Sequence, residues 1–149
     1  MKLYYIMDNK RNKDMIISAG ALFKCTKTNR YFFLLRSSTS SYPSRWGLVG
    51  GKVHHDELIL EGLTREISEE IGFVPVIEKW AAFNCFTSMD KKFCYHSILI
   101  LTPEEFIPIL NHENDGYAWV KIEKPPKPLH PRLREVITSD VLVNSIKNF

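Results

Sequence analysis

Short runs of hydrophobic residues alternate with polar segments along the first third of the chain, and the runs have the length of β-strands. Residues 15–25 and 31–35 are mostly apolar, and the polar segment 26–30 between them is typical of a hairpin turn. Residues 37–44 are rich in serine and contain a proline, which indicates a loop. This part of the chain predicts a strand hairpin followed by a loop.

Helical periodicity replaces this pattern after residue 56. Apolar side chains recur there at intervals of three or four residues and so share one side of a helix: Leu60, Leu63, Ile67 and Ile71. Gly72 is a suitable C-terminal stop, because glycine adopts the left-handed conformation without a Cβ clash. Asp56 is a suitable N-cap. The spacing predicts a helix over residues 57–71.

The remainder of the chain returns to strand-like runs and ends in a helical pattern. Its predicted elements are strands at 76–87 and 93–101, a short irregular or helical segment at 103–109, a strand at 117–121, and a helix at 131–147 in two pieces around 138–140. The length of 149 residues suits a single domain over residues 1–149.

Three glutamates lie on one flank of the predicted central helix, away from its apolar stripe. Glu66, Glu69 and Glu70 occupy positions i, i+3 and i+4, so their carboxylates repel one another. Such a flank is either a solvated acidic surface or a site for a divalent cation, since oxygen clusters bind Mg²⁺ well. Arg65 can form an ordinary surface pair with Glu69, or it can orient a carboxylate and keep it ionised.

Composition narrows the class of protein. The hydrophobic share of 44% and the charged share of 25% are typical of a soluble globular protein, and a net charge of +3 is too small to indicate a nucleic-acid partner. No apolar run is long enough for a membrane span, and no secretory signal is evident. Cys25, Cys85 and Cys94 lack a Cys-x-x-Cys spacing, so we expect reduced thiols and a cytoplasmic location.

Residues 51–73 follow the pattern G-x5-E-x7-R-E-U-x-E-E-x-G-U, where U is a bulky apolar residue. The segment resembles the Nudix box, with every fixed position filled. The resemblance implies the Nudix fold, an α+β fold in which a mixed β-sheet lies between helices as an α/β/α sandwich. It also implies a Mg²⁺- or Mn²⁺-dependent pyrophosphohydrolase, with these metal ligands: the carbonyl of Gly51, the carboxylates of Glu66, Glu69 and Glu70, and that of Glu57 as a further candidate.

Segments outside the box extend the resemblance. Residues 46–51 resemble the strand that leads into the box, although Val49 stands where proline is common. Residues 34–36 resemble the strand that lines the nucleotide pocket, and residues 111–120 resemble a late loop and strand that carry an additional catalytic acid. We expect Glu113 to be that acid. The candidate general bases are Glu69 and Glu113, with Arg65 as their partner in catalysis.

Candidate substrate contacts are less specific. Lys52 and Arg36 are expected to contact phosphates, and four aromatic residues could stack on a base: Trp46, Phe32, Tyr95 and Tyr117. Aromatic residues in strands are more often part of the core. His54 and His55 do not predict a zinc site, because adjacent side chains point apart and no matching Cys or His pair follows.

The choice of substrate stays open at this stage. Signatures that the family associates with ADP-ribose and with dinucleoside polyphosphates are not met cleanly, which leaves nucleoside triphosphates and nucleotide sugars open. We favour a nucleoside diphosphate derivative or a nucleoside triphosphate, without a choice of base. A small-molecule nucleotide is the expected partner, and family members are often homodimers. Two alternatives are a non-catalytic nucleotide-binding or regulatory module and an enzyme acting on RNA 5′ ends. The latter would need a basic track for the phosphate backbone, for which the candidates are Lys121, Lys124, Lys127, Arg132 and Arg134.

Overall fold

A mixed β-sheet forms the middle of the computed structural model, which describes residues 14–149. Its seven strands among the described residues are β1 (Ile16–Cys25), β2 (Tyr31–Arg36), β3 (Trp46–Gly47), β4 (Val49–Val53), β5 (Lys79–Thr87), β6 (Phe93–Thr102) and β7 (Asn114–Val120). Its helices are α1 (Ile59–Ile71), α2 (Pro131–Ile137) and α3 (Asp140–Lys147).

Strand β1 lies at the centre of this sheet. It pairs in antiparallel fashion with β2 and β4, and it pairs in parallel with β6 along its whole length. Strand β5 continues the sheet beyond β6, and β7 and β3 both pair with β2. The box glycines on β4 are thereby held beside the central strand, where Gly50 lies opposite Gly20 and Gly51 opposite Ala19.

Each face of the sheet has its own hydrophobic core. On one face, α1 buries Leu63, Ile67 and Ile71 against apolar residues of β1, β4 and β6, and Leu60 packs at the margin of this core. On the other face, α2 and α3 pack over a second cluster. The three layers form an α/β/α sandwich, and the predicted α+β class with a mixed sheet between helices is confirmed.

The C-terminal cap of α1 is the predicted one, and the N-terminal cap is not. Gly72 ends the helix with a φ of 85°, and its N–H donates to the Ser68 carbonyl at 3.0 Å. The predicted N-cap was wrong: α1 begins at Ile59, two residues after the predicted start, and its N-cap is Leu58, which forms no side-chain cap. Asp56 lies outside the helix, because the preceding turn is instead held by Glu57, whose carboxylate accepts the His54 N–H at 2.8 Å.

Other predicted elements differ mainly at their ends. Strand β5 begins at Lys79 rather than residue 76, and Val76 and Ile77 are exposed. Strand β7 begins earlier than predicted because Asn114 and Gly116, which carry no apolar signal, already pair with β2. Both cases show that sheet pairing, and not apolarity alone, sets the ends of the strands.

The terminal helix is divided as predicted, into α2 and α3. Segment 103–109 is irregular. Within residues 14–149, no helix has both the length and the apolarity needed to cross a membrane.

Candidate active site

Helix α1 and strand β4 approach closely at the start of the box, and the contact is made by Gly51 and Glu66. A Cβ at Gly51 would lie 2.6 Å from the carboxyl carbon of Glu66. Any side chain there would displace the carboxylate, so glycine is required for this approach. The Glu66 side chain is only 13% exposed. Burial raises its pKa, and so do the negative charges of Glu69 and Glu113, while its bond from Arg65 acts in the opposite direction.

Glu70 is the most buried carboxylate of the box, with 4% of the residue exposed. The Gly50 N–H donates to its Oε1 at 2.8 Å, and Asn114 Nδ2 donates to its Oε2 at 2.6 Å. Burial raises the pKa of Glu70 to about 8, and these two hydrogen bonds only partly oppose that shift. Since each oxygen accepts one hydrogen bond, each retains one lone pair for a further partner.

Glu69 lies on the solvent side of the same flank, and its side chain is 54% exposed. Arg65 Nη1 donates to its Oε1 at 3.2 Å, and Asn111 Nδ2 donates to its backbone carbonyl at 3.1 Å. The three box glutamates thus range from buried to exposed, a difference that their common helical flank did not predict.

Arg65 makes a two-pronged contact with Glu57. Its Nε donates to Oε2 at 2.8 Å and its Nη2 donates to Oε1 at 2.9 Å. The Arg65 bonds, followed by the His54 N–H, lower the pKa of Glu57 to about 2. Arg65 also reaches Glu66 at 3.1 Å and the carbonyl of Lys52 at 2.9 Å. A bidentate guanidinium of this kind fixes orientation as well as charge.

Glu113 comes from the loop before β7, outside the box. Its N–H donates to Asn111 Oδ1 at 3.0 Å, and its carbonyl accepts the Ser37 N–H at 2.9 Å. The charge of Glu113 contributes to the raised pKa of both Glu66 and Glu70, so it lies near them. We call Glu66, Glu69, Glu70 and Glu113 the carboxylate cluster. Glu70 and Glu113 line a cavity of about 370 Å³.

A larger cavity of about 650 Å³ lies on the α2 face of the sheet and reaches the box at Gly50 and Gly51. Four aromatic residues from β5 and β6, which we call the aromatic wall, line it: Phe83, Phe86, Phe93 and Tyr95. The Arg132 guanidinium lies 3.9 Å from the ring centre of Phe86 and 4.6 Å from that of Phe93. This arrangement offers flat apolar surfaces beside a fixed positive charge.

Arg36 lines both cavities, so it stands where they meet. Its Nε donates to the Ser41 carbonyl at 2.6 Å and its Nη2 to Ser41 Oγ at 2.8 Å, which holds the side chain in place. His130 also lines the larger cavity, and its Nδ1 accepts the Arg132 N–H at the start of α2. Burial, and then the charges of neighbouring arginines, lowers the pKa of His130 to about 4.

The sequence-predicted substrate contacts are only partly brought together. Tyr95 and Arg36 line the larger cavity. Trp46 packs against the second hydrophobic core, and Phe32 is fully buried in the first. Tyr117 stacks on Phe32 away from the cavities. The side chain of Lys52 is exposed outside the lining of both cavities. Alternation along β5 and β6 could have indicated the aromatic wall, but those residues are equally typical of a core.

Two of the basic residues considered for an RNA track make contacts in different parts of the structure. Arg132 packs over the aromatic wall, and the Lys121 ammonium donates to the Thr28 carbonyl at 2.7 Å. Arg132 thus makes a contact at the larger cavity, and Lys121 makes a surface hydrogen bond.

The carboxylate cluster has the composition of a divalent-cation site. Its donors are oxygens, which are the ligands that Mg²⁺ and Mn²⁺ prefer. Two of its members have a raised pKa because burial and like charges disfavour their ionised forms. A bound cation would offset both effects, so the residues present fit such an ion.

Comparisons with known proteins agree with this geometry. The NUDIX domain family model matches residues 16–139. The chain therefore belongs to the NUDIX family, and it is a pyrophosphohydrolase of the Nudix class. Hydrolases of this family generally use divalent metal ions and bind small-molecule nucleotides. No curated protein sequence matches the chain.

Solved structures show the same fold at low identity. The MutT protein from Methanosarcina mazei Go1 is 25% identical, with 93% of this chain and 94% of that chain covered and a TM-score of 0.60. The MutT NUDIX hydrolase from Burkholderia pseudomallei is 21% identical, with coverages of 82% and 95% and a TM-score of 0.64. The NUDIX domain of Shewanella oneidensis NrtR, solved with ADP ribose, is 15% identical, with coverages of 77% and 80% and a TM-score of 0.59.

Proposed function

We propose that this enzyme hydrolyses the pyrophosphate bond of a nucleoside diphosphate linked to a second group X, and that it requires Mg²⁺ or Mn²⁺. The products are a nucleoside monophosphate and phospho-X. One observation carries the proposal: the carboxylate cluster adjoins an aromatic-lined cavity, and Arg36 lies between the two. The chemistry of a nucleotide is divided in the same way, with a charged diphosphate beside a flat base.

Metal binding is assigned to the box. The Gly51 carbonyl with the carboxylates of Glu66 and Glu69 would hold the cation, and Glu70 could join them through its remaining lone pairs. Both oxygens of Glu57 already accept hydrogen bonds from Arg65, which supports a positioning role for Glu57. When bound, the cation would polarise the phosphoryl oxygens and lower the pKa of the attacking water.

Proton transfer is assigned to Glu69 or Glu113. Both are exposed enough to meet a water molecule, unlike Glu70. Arg65 holds Glu69 on one side, and Asn111 fixes the backbone on which Glu113 is carried. A general base at such a position contributes about 10²–10⁴-fold to the rate. Arg36, which lines both cavities, would contact a phosphate.

Nucleoside binding is assigned to the larger cavity. Phe86, Phe93 and Tyr95 supply an aromatic lining for a base, and the Arg132 guanidinium, which already lies over the rings of Phe86 and Phe93, adds a cation. Stacking of this type contributes about 1–3 kcal/mol per base and tolerates different bases. This supports a nucleotide substrate and leaves four classes open: nucleoside triphosphates, ADP-ribose, dinucleoside polyphosphates and nucleotide sugars.

The test is a substrate panel with purified protein. Each of the four substrate classes is incubated with Mg²⁺ or Mn²⁺, and the products are separated. Hydrolysis in H₂¹⁸O then identifies the phosphorus that water attacks. We expect metal-dependent release of a nucleoside monophosphate from at least one class. If all four remain intact with both metals, the proposed substrate chemistry is wrong.

A further inference from the structure

Three side chains with soft or borderline donor atoms converge near the outer edge of the sheet, apart from the carboxylate cluster. Cys85 lies on β5, and Cys94 and His96 lie on β6. The two sulfurs are 3.4 Å apart, and Cys94 Sγ lies 3.3 Å from His96 Nε2. All three donor atoms lie within 4.8 Å of one another. Cys94 and His96 are buried, and Cys85 is exposed.

The strand register places the side chains of this group on the face opposite the aromatic wall, although Cys85, which lies on the edge strand β5, also borders the larger cavity. Cys85 lies directly opposite His96, whereas Phe86 lies opposite Tyr95. Since successive side chains alternate between faces, Cys85, Cys94 and His96 share the α1 face of the sheet. Cys94 accordingly belongs to the hydrophobic core that α1 covers. The proposed pyrophosphohydrolase chemistry uses none of these three side chains.

The distances suit a common metal ion. Two thiolates on one tetrahedral zinc, at about 2.3 Å each, lie about 3.8 Å apart, and a thiolate and an imidazole nitrogen lie about 3.5 Å apart. The observed separations of 3.4 Å and 3.3 Å are close to these values. The Thr87 hydroxyl also donates to Cys94 Sγ at 3.7 Å. Such an outer hydrogen bond stabilises a thiolate that ligates a metal.

A disulfide fits the register less well. Cys94 lies opposite Thr87, so Cys85 and Cys94 are diagonal neighbours. Diagonal positions on adjacent strands have Cα atoms about 7–8 Å apart, beyond the usual reach of a disulfide. A metal ion spans the two sulfurs without that constraint, and His96 supplies a third donor.

We propose that Cys85, Cys94 and His96 form a second metal site, which binds one Zn²⁺ through two thiolates and the imidazole Nε2. The exposed side, at Cys85, leaves the fourth position to water or an external ligand. On binding, each S–H bond is replaced by an S–Zn bond, and the two protons pass to the buffer. The ion joins the ends of β5 and β6, whose other face carries Phe86 and Tyr95.

Zinc binding to reduced protein, with excess Mg²⁺ present to occupy the carboxylate cluster, tests the proposal. We expect one Zn²⁺ per chain with a dissociation constant below about 1 μM, measured by chelator competition. Loss of an outer contact to a metal ligand costs about 10–100-fold in affinity. Cys85→Ser removes a ligand itself, so it should weaken binding by on the order of 100-fold or more. Since Cys85 is exposed, this variant is expected to fold.

Two further measurements distinguish the site from other zinc binding. Co²⁺ substitution should give thiolate-to-cobalt charge-transfer absorption in the wild type and lose it in Cys85→Ser. Cys25→Ser changes the third cysteine, which lies on β1 and outside the proposed site, and should leave both zinc affinity and the cobalt spectrum unchanged. Zinc binding that survives Cys85→Ser, or that disappears in Glu66→Gln, would overturn the proposal. So would a Cys85–Cys94 disulfide as the stable form in the presence of Zn²⁺.

Discussion

The carboxylate cluster takes three of its four side chains from α1, whereas the aromatic wall and its arginine come from β5, β6 and α2. The first depends on the spacing of residues within one helix. The second exists only after distant strands have paired and a terminal helix has packed over them. Under the proposed assignment, the chemistry depends on a local segment, and substrate choice depends on long-range packing. We therefore expect variants of the carboxylate cluster to change mainly the kcat, and variants of the aromatic wall to change mainly the KM.

The largest effect is expected from the carboxylate cluster. Glu66→Gln keeps the size of the side chain and removes its charge, so a cation loses a ligand and the kcat should fall by roughly 100-fold or more. Nucleotide affinity should change much less. Steady-state kinetics at several Mg²⁺ concentrations measures both quantities.

Glu61→Gln is the matched control, because Glu61 is an exposed glutamate on the same helix outside the cluster. Equal losses in the two variants would contradict the assignment. Glu70→Gln is a less clean test, since its new amide would face the donors of Gly50 or Asn114.

A smaller effect is expected at Arg65, which acts through its neighbours. Arg65→Lys keeps the charge and loses the two-pronged contact with Glu57. The carboxylates it orients should bind metal more weakly, and the Mg²⁺ concentration for half-maximal activity should rise by about 10–100-fold. Saturating Mg²⁺ should restore most of the rate. A loss of rate that no Mg²⁺ concentration restores would instead indicate direct contact between Arg65 and the substrate.

The aromatic wall should affect recognition rather than rate. Phe86→Ala removes a stacking surface, so the KM for the preferred nucleotide should rise by about tenfold with little change in kcat at saturation. Competition between substrates with different bases measures the change in selectivity. Tyr117→Ala is the control, because Tyr117 lies outside the cavities. If Tyr117→Ala raises the KM and Phe86→Ala does not, the base binds elsewhere.

The smallest effect is expected on the pH dependence of the free energy of unfolding, through His130. The pKa of His130 is about 4 in the folded protein and near 6.5 otherwise. Between these values the unfolded chain binds more protons, so this group makes the free energy of unfolding decrease as the pH falls from about 6.5 to 4. His130→Asn retains a side-chain acceptor for the Arg132 N–H and removes the titration. Urea unfolding at pH 7 and pH 5 should therefore show a smaller pH dependence in this variant; an unchanged dependence would contradict the assignment.

Sequence reasoning was most successful where structure follows local spacing. The apolar stripe of α1, its end at Gly72 and the division between α2 and α3 are all present. It was wrong about Asp56, because Glu57 and Arg65 determine the turn before the helix. The flank of three glutamates was identified, yet its gradient of burial depends on β4 and on the loop before β7. The spacing of residues within α1 does not indicate where β4 and the loop before β7 lie relative to the helix.

Most contacts between distant segments could not be predicted from the sequence. Phe32 and Tyr117 share strand-like surroundings with Tyr95, but only the sheet order decides which of them faces a cavity. The cysteines gave no motif, because Cys85 and Cys94 meet across two paired strands and not within one turn. Trp46 was expected to contact the substrate because its segment resembles the strand that leads into the box. In the structure its side chain packs against the second core.

The loop before β7 has a consequence for how the chain tolerates insertions and deletions. Asn111 donates to the Glu69 carbonyl, and Asn114 donates to the Glu70 carboxylate. The short segment that contains Glu113 is therefore hydrogen-bonded to α1 at both of its ends. One residue added or removed between the two asparagines would shift Glu113 relative to the helix and break at least one of these two hydrogen bonds. The exposed hairpin tip at 88–92 has no such double attachment to α1 among the described residues. Length variation is therefore expected to be tolerated at that tip and excluded between residues 111 and 114.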